Sequence, residues 1–239
     1  MLTLTALNRT AINFLCAPRA ICMGCGSLMG SDQNWLCAKC AAQLRPINEC
    51  MYLCPLCGTA FPRGVCPQCR TAPNDFIAVA AYEYTDTMRS MITRFKFHGT
   101  YRLDKWMAGQ MHTALTHNRI QAYSLIVPVP MHWLRRMDRG YNQSERLARR
   151  LSELTGKPFW NVLKRIKNTP QQSKLSADRR RTNLSGAIVC AAALHGETVL
   201  LVDDVRTTGT TALRCAEALK KSGAGRIILI TLARAGRKN

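Results

Sequence analysis

The stretch VLLVDDVRTTGTT, Val199 to Thr211, joins an apolar run to two adjacent acids and then to a threonine-rich turn around one glycine. The near-continuous apolar segment from Thr198 to Val202 is what a strand requires when both faces of its sheet are covered. Thr210 to Ser222 has helical character and stops at Gly223. The acids and the turn therefore fall between a buried strand and a helix N-terminus, where open α/β sheets bind ligands. Backbone N–H groups there, with the hydroxyls of Thr207, Thr208, Thr210 and Thr211, make a cradle for a phosphate. Gly209 lets the backbone come close to it. The lysine of a GxxxxGK[ST] loop is absent, which disfavours nucleoside triphosphate hydrolysis. Asp203 and Asp204 cannot attract a phosphate, but as hydrogen-bond acceptors they suit a vicinal diol. Cradle and diol acceptor together describe a ribose 5-phosphate site.

Outward from this stretch, strand-like and helix-like segments alternate. Ile77 to Tyr84 reads as a strand, and Asp86 to Phe97 as a helix with Met88, Met91, Ile92 and Phe95 at helical spacing. Leu103 to Leu115 is a second helix, Ser124 to Val129 a short strand, and Ser144 to Leu154 an amphipathic helix. Arg226 to Leu232 is a last buried strand. Such alternation predicts a mostly parallel α/β sheet with flanking helices.

Composition changes near Thr71-Ala72-Pro73-Asn74, which predicts a small cysteine-rich domain over residues 1–74 and the α/β domain over residues 75–239. Eight of the 12 cysteines form four CxxC pairs: Cys22/Cys25, Cys37/Cys40, Cys54/Cys57 and Cys66/Cys69. Each CxxC turn aims two thiolates at one point, and two turns supply the four tetrahedral ligands that Zn²⁺ favours. Structural zinc is the reading this spacing favours over disulfides or a redox dithiol. A segment this small cannot hold a core without its metal, so chelation is expected to unfold residues before about 70 and to leave the α/β domain intact.

The chain carries 34 Lys+Arg against 14 Asp+Glu, a formal charge of +20, which suits an anionic partner. Only 6 of those cations, against 2 acids, lie in residues 1–74, so the positive field belongs mainly to the α/β part. No apolar run reaches the ~18 residues of a membrane span, and MLTLTALNRTAINFLC is a poor signal sequence. A cytoplasmic protein without membrane insertion is expected.

VLLVDDVRTTGTT resembles the phosphoribosyl-pyrophosphate (PRPP) signature of type I phosphoribosyltransferases. The resemblance implies that fold after residue 74. It implies that Asp203 and Asp204 take the ribose 2′- and 3′-hydroxyls, that Arg206, Thr207, Thr208, Gly209, Thr210 and Thr211 take the 5′-phosphate, and that Mg²⁺ accompanies PRPP. FKFHG (Phe95 to Gly99), PVPMHWLRRMDRGYNQSERLA (Pro128 to Ala148) and TPQQSKLSADRRRTNLSGA (Thr169 to Ala187), with the N-terminal CxxC pairs, resemble the ComF/GntX family over essentially the whole chain. In that family a zinc ribbon precedes a phosphoribosyltransferase-type domain, with roles in natural competence or in use of external DNA. Cys16-Ala17 departs from its pattern, where an aromatic residue and a proline are expected.

PRPP loses pyrophosphate, so transfer needs cations where that charge develops. Arg135, Arg136 and Arg139, before Gly140 and Asn142-Gln143, suit a pyrophosphate-facing loop, and Gln172, Lys174 and Arg179 to Arg181 suit a mobile hood. Arg135, Arg139, Lys174 and Arg179 are the catalytic candidates. The sequence leaves two function classes open. One is a PRPP-binding phosphoribosyltransferase-type protein with an unidentified acceptor. The other is a non-catalytic module on the same fold that binds single-stranded DNA or assembles with DNA-uptake machinery. Against the second, aromatic residues make up only 7% and do not interleave with the basic runs.

Overall fold

The computed structural model describes residues 21–29, 35–47, 67, 77–97, 103–131, 137, 140–166, 187–207 and 209–235. The second pair of knuckles (Cys54, Cys57, Cys66 and Cys69), the cations Arg135, Arg139, Lys174 and Arg179, and Thr208 lie outside them. In chain order the elements are α1 (Ala38–Ala41), β1 (Ile77–Glu83), α2 (Asp86–Phe97), α3 (Leu103–His117), β2 (Leu125–Pro128) and α4 (Gln143–Thr155). They are followed by β3 (Leu163–Arg165), β4 (Ile188–Cys190), β5 (Thr198–Arg206), α5 (Thr210–Lys221) and β6 (Arg226–Arg234).

Strands β1, β6, β5 and β2 pair side by side in that order, all parallel. Their apolar residues alternate between two cores, as the period of two demands. Leu200 and Val202 of β5 and Ile228 and Ile230 of β6 pack with α2, α3 and α4. Val199 and Leu201, with Ile227 and Leu229, pack with Ala212, Cys215, Ala216 and Leu219 of α5. Helices cover both faces, which explains why the strand sequences are apolar without interruption.

Both sheet edges are covered by short segments. Ile47 N–H donates to Ala81 O at 3.0 Å and Glu83 N–H to Arg45 O at 2.9 Å, so the cysteine-rich segment covers the free edge of β1. Ile126 N–H donates to Pro158 O and Trp160 N–H to Ile126 O, both at 2.9 Å, on the outer edge of β2. Such cover shields part of each edge ladder from pairing with a second chain. The antiparallel pair β3–β4 forms a separate small sheet that the sequence did not announce.

Helices α3 and α4 are tied by Asp104, a buried acid whose Oδ2 is 2.7 Å from Arg146 Nη2 and 3.2 Å from Arg150 Nε. Among the described residues no helix is long and apolar enough to cross a membrane.

Candidate functional site

β5 is longer than the apolar run suggests. It pairs with β6 through Val205↔Ala233 and Arg206↔Arg234, so both acids lie within the strand, and α5 begins at Thr210. Gly209 has φ +76° and is the N-cap of α5; among the described residues no side-chain cap hydrogen bond is made to that helix. Only glycine adopts this φ without strain. A helix N-terminus opening into a cleft is a site for an anion.

The cleft is lined by Asp203, Val205, Arg206, Thr207, Gly209, Thr210, Thr211, Ala212, Leu229 and Thr231. Six of the eight residues expected to hold the ligand thus converge: Asp203, Arg206, Thr207, Gly209, Thr210 and Thr211. Asp204 does not line the cleft. It forms an ion pair with Lys96 of α2 on the other side of the strand.

The acids depend on residues to which sequence reasoning gave no role. Ser144 Oγ donates to Asp203 Oδ1 at 2.8 Å from the first turn of α4. That turn is fixed by Asn142, which accepts from Ser144 N–H at 3.1 Å and donates from Nδ2 to Val129 O at 3.1 Å. Asn142 is buried and serves as the N-cap of α4, and Gln143, buried beside it, is the first residue of that helix. Tyr141 donates to Phe95 O at the end of α2, beside Lys96, and packs edge-on against the Phe95 ring. Lys96 and Ser144 both fall in stretches that carried the family resemblance, and that was their only sequence signal.

Burial, and then the charge of Asp204, push the Asp203 carboxyl from 3.8 up to about 7; Ser144, Lys96 and the Asp204 N–H pull the other way. The folded state therefore holds this proton more tightly than the unfolded chain does. The resulting stability is fully present below about pH 4 and is lost as pH rises through about 7. D203N removes the titration, so its unfolding free energy relative to wild type should rise between those limits and level off above. Urea unfolding across that range checks this, and a flat difference would contradict it.

The first two knuckles form one cluster. The sulfurs of Cys22, Cys25, Cys37 and Cys40 all lie within 4.8 Å of one another, and none of the four is in a disulfide. Cys25 Sγ and Cys37 Sγ are 3.9 Å apart. A tetrahedral ion with Zn–S bonds of about 2.3 Å separates its sulfurs by nearly that distance. Hydrogen bonding with the Ser27 side chain and backbone draws the exposed Cys25 thiol down to about 6, whereas burial pushes Cys40 up to about 12. Four sulfurs so close suit a cation, and the cluster can hold a metal such as zinc.

A phosphoribosyl transferase domain model matches residues 137–239, from just before α4 through β6. Competence protein F of Haemophilus influenzae is 32% identical over 226 residues, which cover 90% of this chain and 96% of that protein. The chain belongs to the competence protein F family. Another relative, DNA utilization protein YhgH of Salmonella typhimurium, is 28% identical, with 90% of this chain and 96% of that protein covered. Among solved structures, a purine phosphoribosyltransferase from Pyrococcus horikoshii is 24% identical over 54% of this chain and 73% of its own, with a TM-score of 0.36. The family's ComF/GntX arrangement is the one expected from the sequence, a cysteine cluster ahead of a type I phosphoribosyltransferase domain.

Proposed function

We propose that the cleft binds PRPP together with Mg²⁺, and that the chain acts as a phosphoribosyltransferase-type protein in DNA uptake or in use of external DNA. The observation that carries the reading is the convergence of Asp203, Arg206, Thr207, Gly209, Thr210 and Thr211 on one cleft at the N-terminus of α5. The helix N-terminus and the threonine hydroxyls suit the 5′-phosphate, with Arg206 as its cation. Asp203 suits the ribose diol. Mg²⁺ would arrive with the ligand and offset part of its charge. Arg135, Arg139, Lys174 and Arg179 are the cations we assign to that pyrophosphate, where they would offset its charge as it leaves. The biological setting rests on what the relatives are called.

Titration calorimetry of the full, zinc-loaded chain with PRPP and Mg²⁺ tests the reading. Saturable heat is expected, and it should weaken about 10-fold or more in T210V, which keeps the helix but removes one donor. No heat at millimolar ligand in folded protein overturns it.

A further inference from the structure

The paired acids of β5 look equivalent in sequence and are not equivalent in space. Successive residues of a strand face opposite sides of its sheet. Asp203 faces the cleft, where its Oδ1 accepts from Ser144 Oγ and from the Asp204 N–H, at 2.8 and 2.9 Å. Among the described residues none bonds its second oxygen. Both oxygens of Asp204 are engaged by the protein. Oδ1 accepts from Val205 N–H at 2.8 Å, and Oδ2 is held by the Lys96 ammonium. The pair is largely shielded from water, with the Lys96 and Asp204 side chains 23% and 12% exposed.

We propose that the two acids divide their work: Asp203 alone accepts the ligand's diol, and Lys96 is a positioning residue that holds Asp204 away from it. This rests on the ribose-phosphate reading of the cleft. The physical need for Lys96 follows from the charges. The expected ligand is a polyanion, and a second carboxylate beside it would repel it unless a cation offset that charge. Lys96 supplies the cation from α2 without lining the cleft. Removing Lys96 alone leaves a shielded carboxylate without its partner, which is the costly half of breaking a buried pair. Neutralising both partners removes the difficulty. The sign of the combined change is therefore the diagnostic.

The test is a cycle of D203N, D204N, K96M and K96M/D204N in the full, zinc-loaded chain, read by calorimetry with PRPP and Mg²⁺ and, without ligand, by thermal unfolding. D203N should weaken binding about 100-fold or more, and D204N by less than about tenfold. K96M should weaken binding about tenfold or more, and K96M/D204N should recover to near D204N. A folded double variant that binds as poorly as K96M overturns the proposal, because Lys96 would then touch the ligand itself. D204N as weak as D203N overturns it as well, since Asp204 would share the diol. In ligand-free protein the Tm loss of K96M should be largely reversed by adding D204N; additive losses would remove the pairing. Wild-type protein that binds no PRPP removes the cleft reading and the diol role with it, while the unfolding cycle still decides whether Lys96 holds Asp204.

Discussion

Stripping the metal from the full chain should loosen β1 and α2 along with the cysteine-rich segment. Cys22, Leu36 and Cys40 belong to the same buried cluster as Val79 of β1 and Met88, Met91 and Phe95 of α2. Thr87 Oγ1 donates to Gln43 Oε1 at 2.5 Å, and Ile47 N–H donates to Ala81 O at 3.0 Å on the sheet edge. A segment of this size has too little core to keep its shape without metal. In small zinc modules the binding free energy, about 10–16 kcal/mol, is in effect the folding free energy. Losing it releases four crowded thiols and uncovers the α2 face they pack on. Sequence alone sets the limit of melting near residue 70, and the shared core moves it to about residue 97. Hydrogen exchange before and after complete chelation checks this. Residues 77–97 should exchange faster, β5 and β6 should stay protected, and PRPP affinity should fall because α2 carries Lys96. Unchanged protection of α2 in metal-free protein would sink the prediction.

Much of the fold is legible in the sequence because its helices carry long periodic faces. The expected limits of α2, Asp86 to Phe97, are those observed, since Met88, Met91, Ile92 and Phe95 all face the core. The end of β5 is not legible. Two aspartates argue against a strand on propensity, yet pairing with Ala233 and Arg234 of β6 carries β5 on to Arg206. Four further residues of strand decide the site, because they put the acids on opposite faces. Nor does the spacing of CxxC turns say which pairs share an ion; that is set by the bridge between Ile21 and Leu28 and the short helix α1, which bring the first two together. The short pair β3–β4, three residues a strand, is below the length at which alternation is recognisable. The place of Asn142 is decided by burial for a related reason. A polar residue beside arginines reads as ligand-facing, but an asparagine before a helix is also an N-cap, and burial chooses between the two.

Gly223→Ala should be among the most damaging single changes in this chain, although it lies at the amino-terminal end of β6, away from the cleft. Gly223 has φ +102°, and a Cβ there would stand 2.0 Å from Leu194 O and 2.9 Å from Leu194 C. Those are backbone atoms, so no rotamer change relieves the clash. They also cannot retreat freely, because Leu194 N–H donates to Ser222 O at 2.7 Å, Gly196 N–H to Gly223 O at 2.9 Å and Gly225 N–H to Glu197 O at 3.0 Å. This junction joins the end of α5 to the entries of β5 and β6, the central pair of the sheet. Positive φ costs a non-glycine residue about 1–3 kcal/mol, and separating the two backbones adds about as much again. The expected loss of about 3–5 kcal/mol is a large part of a domain's usual stability and corresponds to a Tm lower by about 10 °C or more. Gly109→Ala in α3 is the control of opposite sign, because a Cβ there meets nothing within 4 Å. Helix propensity alone should make it neutral or stabilising by up to about 1 kcal/mol. Thermal unfolding of both variants in metal-loaded protein decides the matter: a Gly223→Ala variant as stable as Gly109→Ala would mean that the α5–β6 turn and the chain entering β5 do not meet as closely as their hydrogen bonds require.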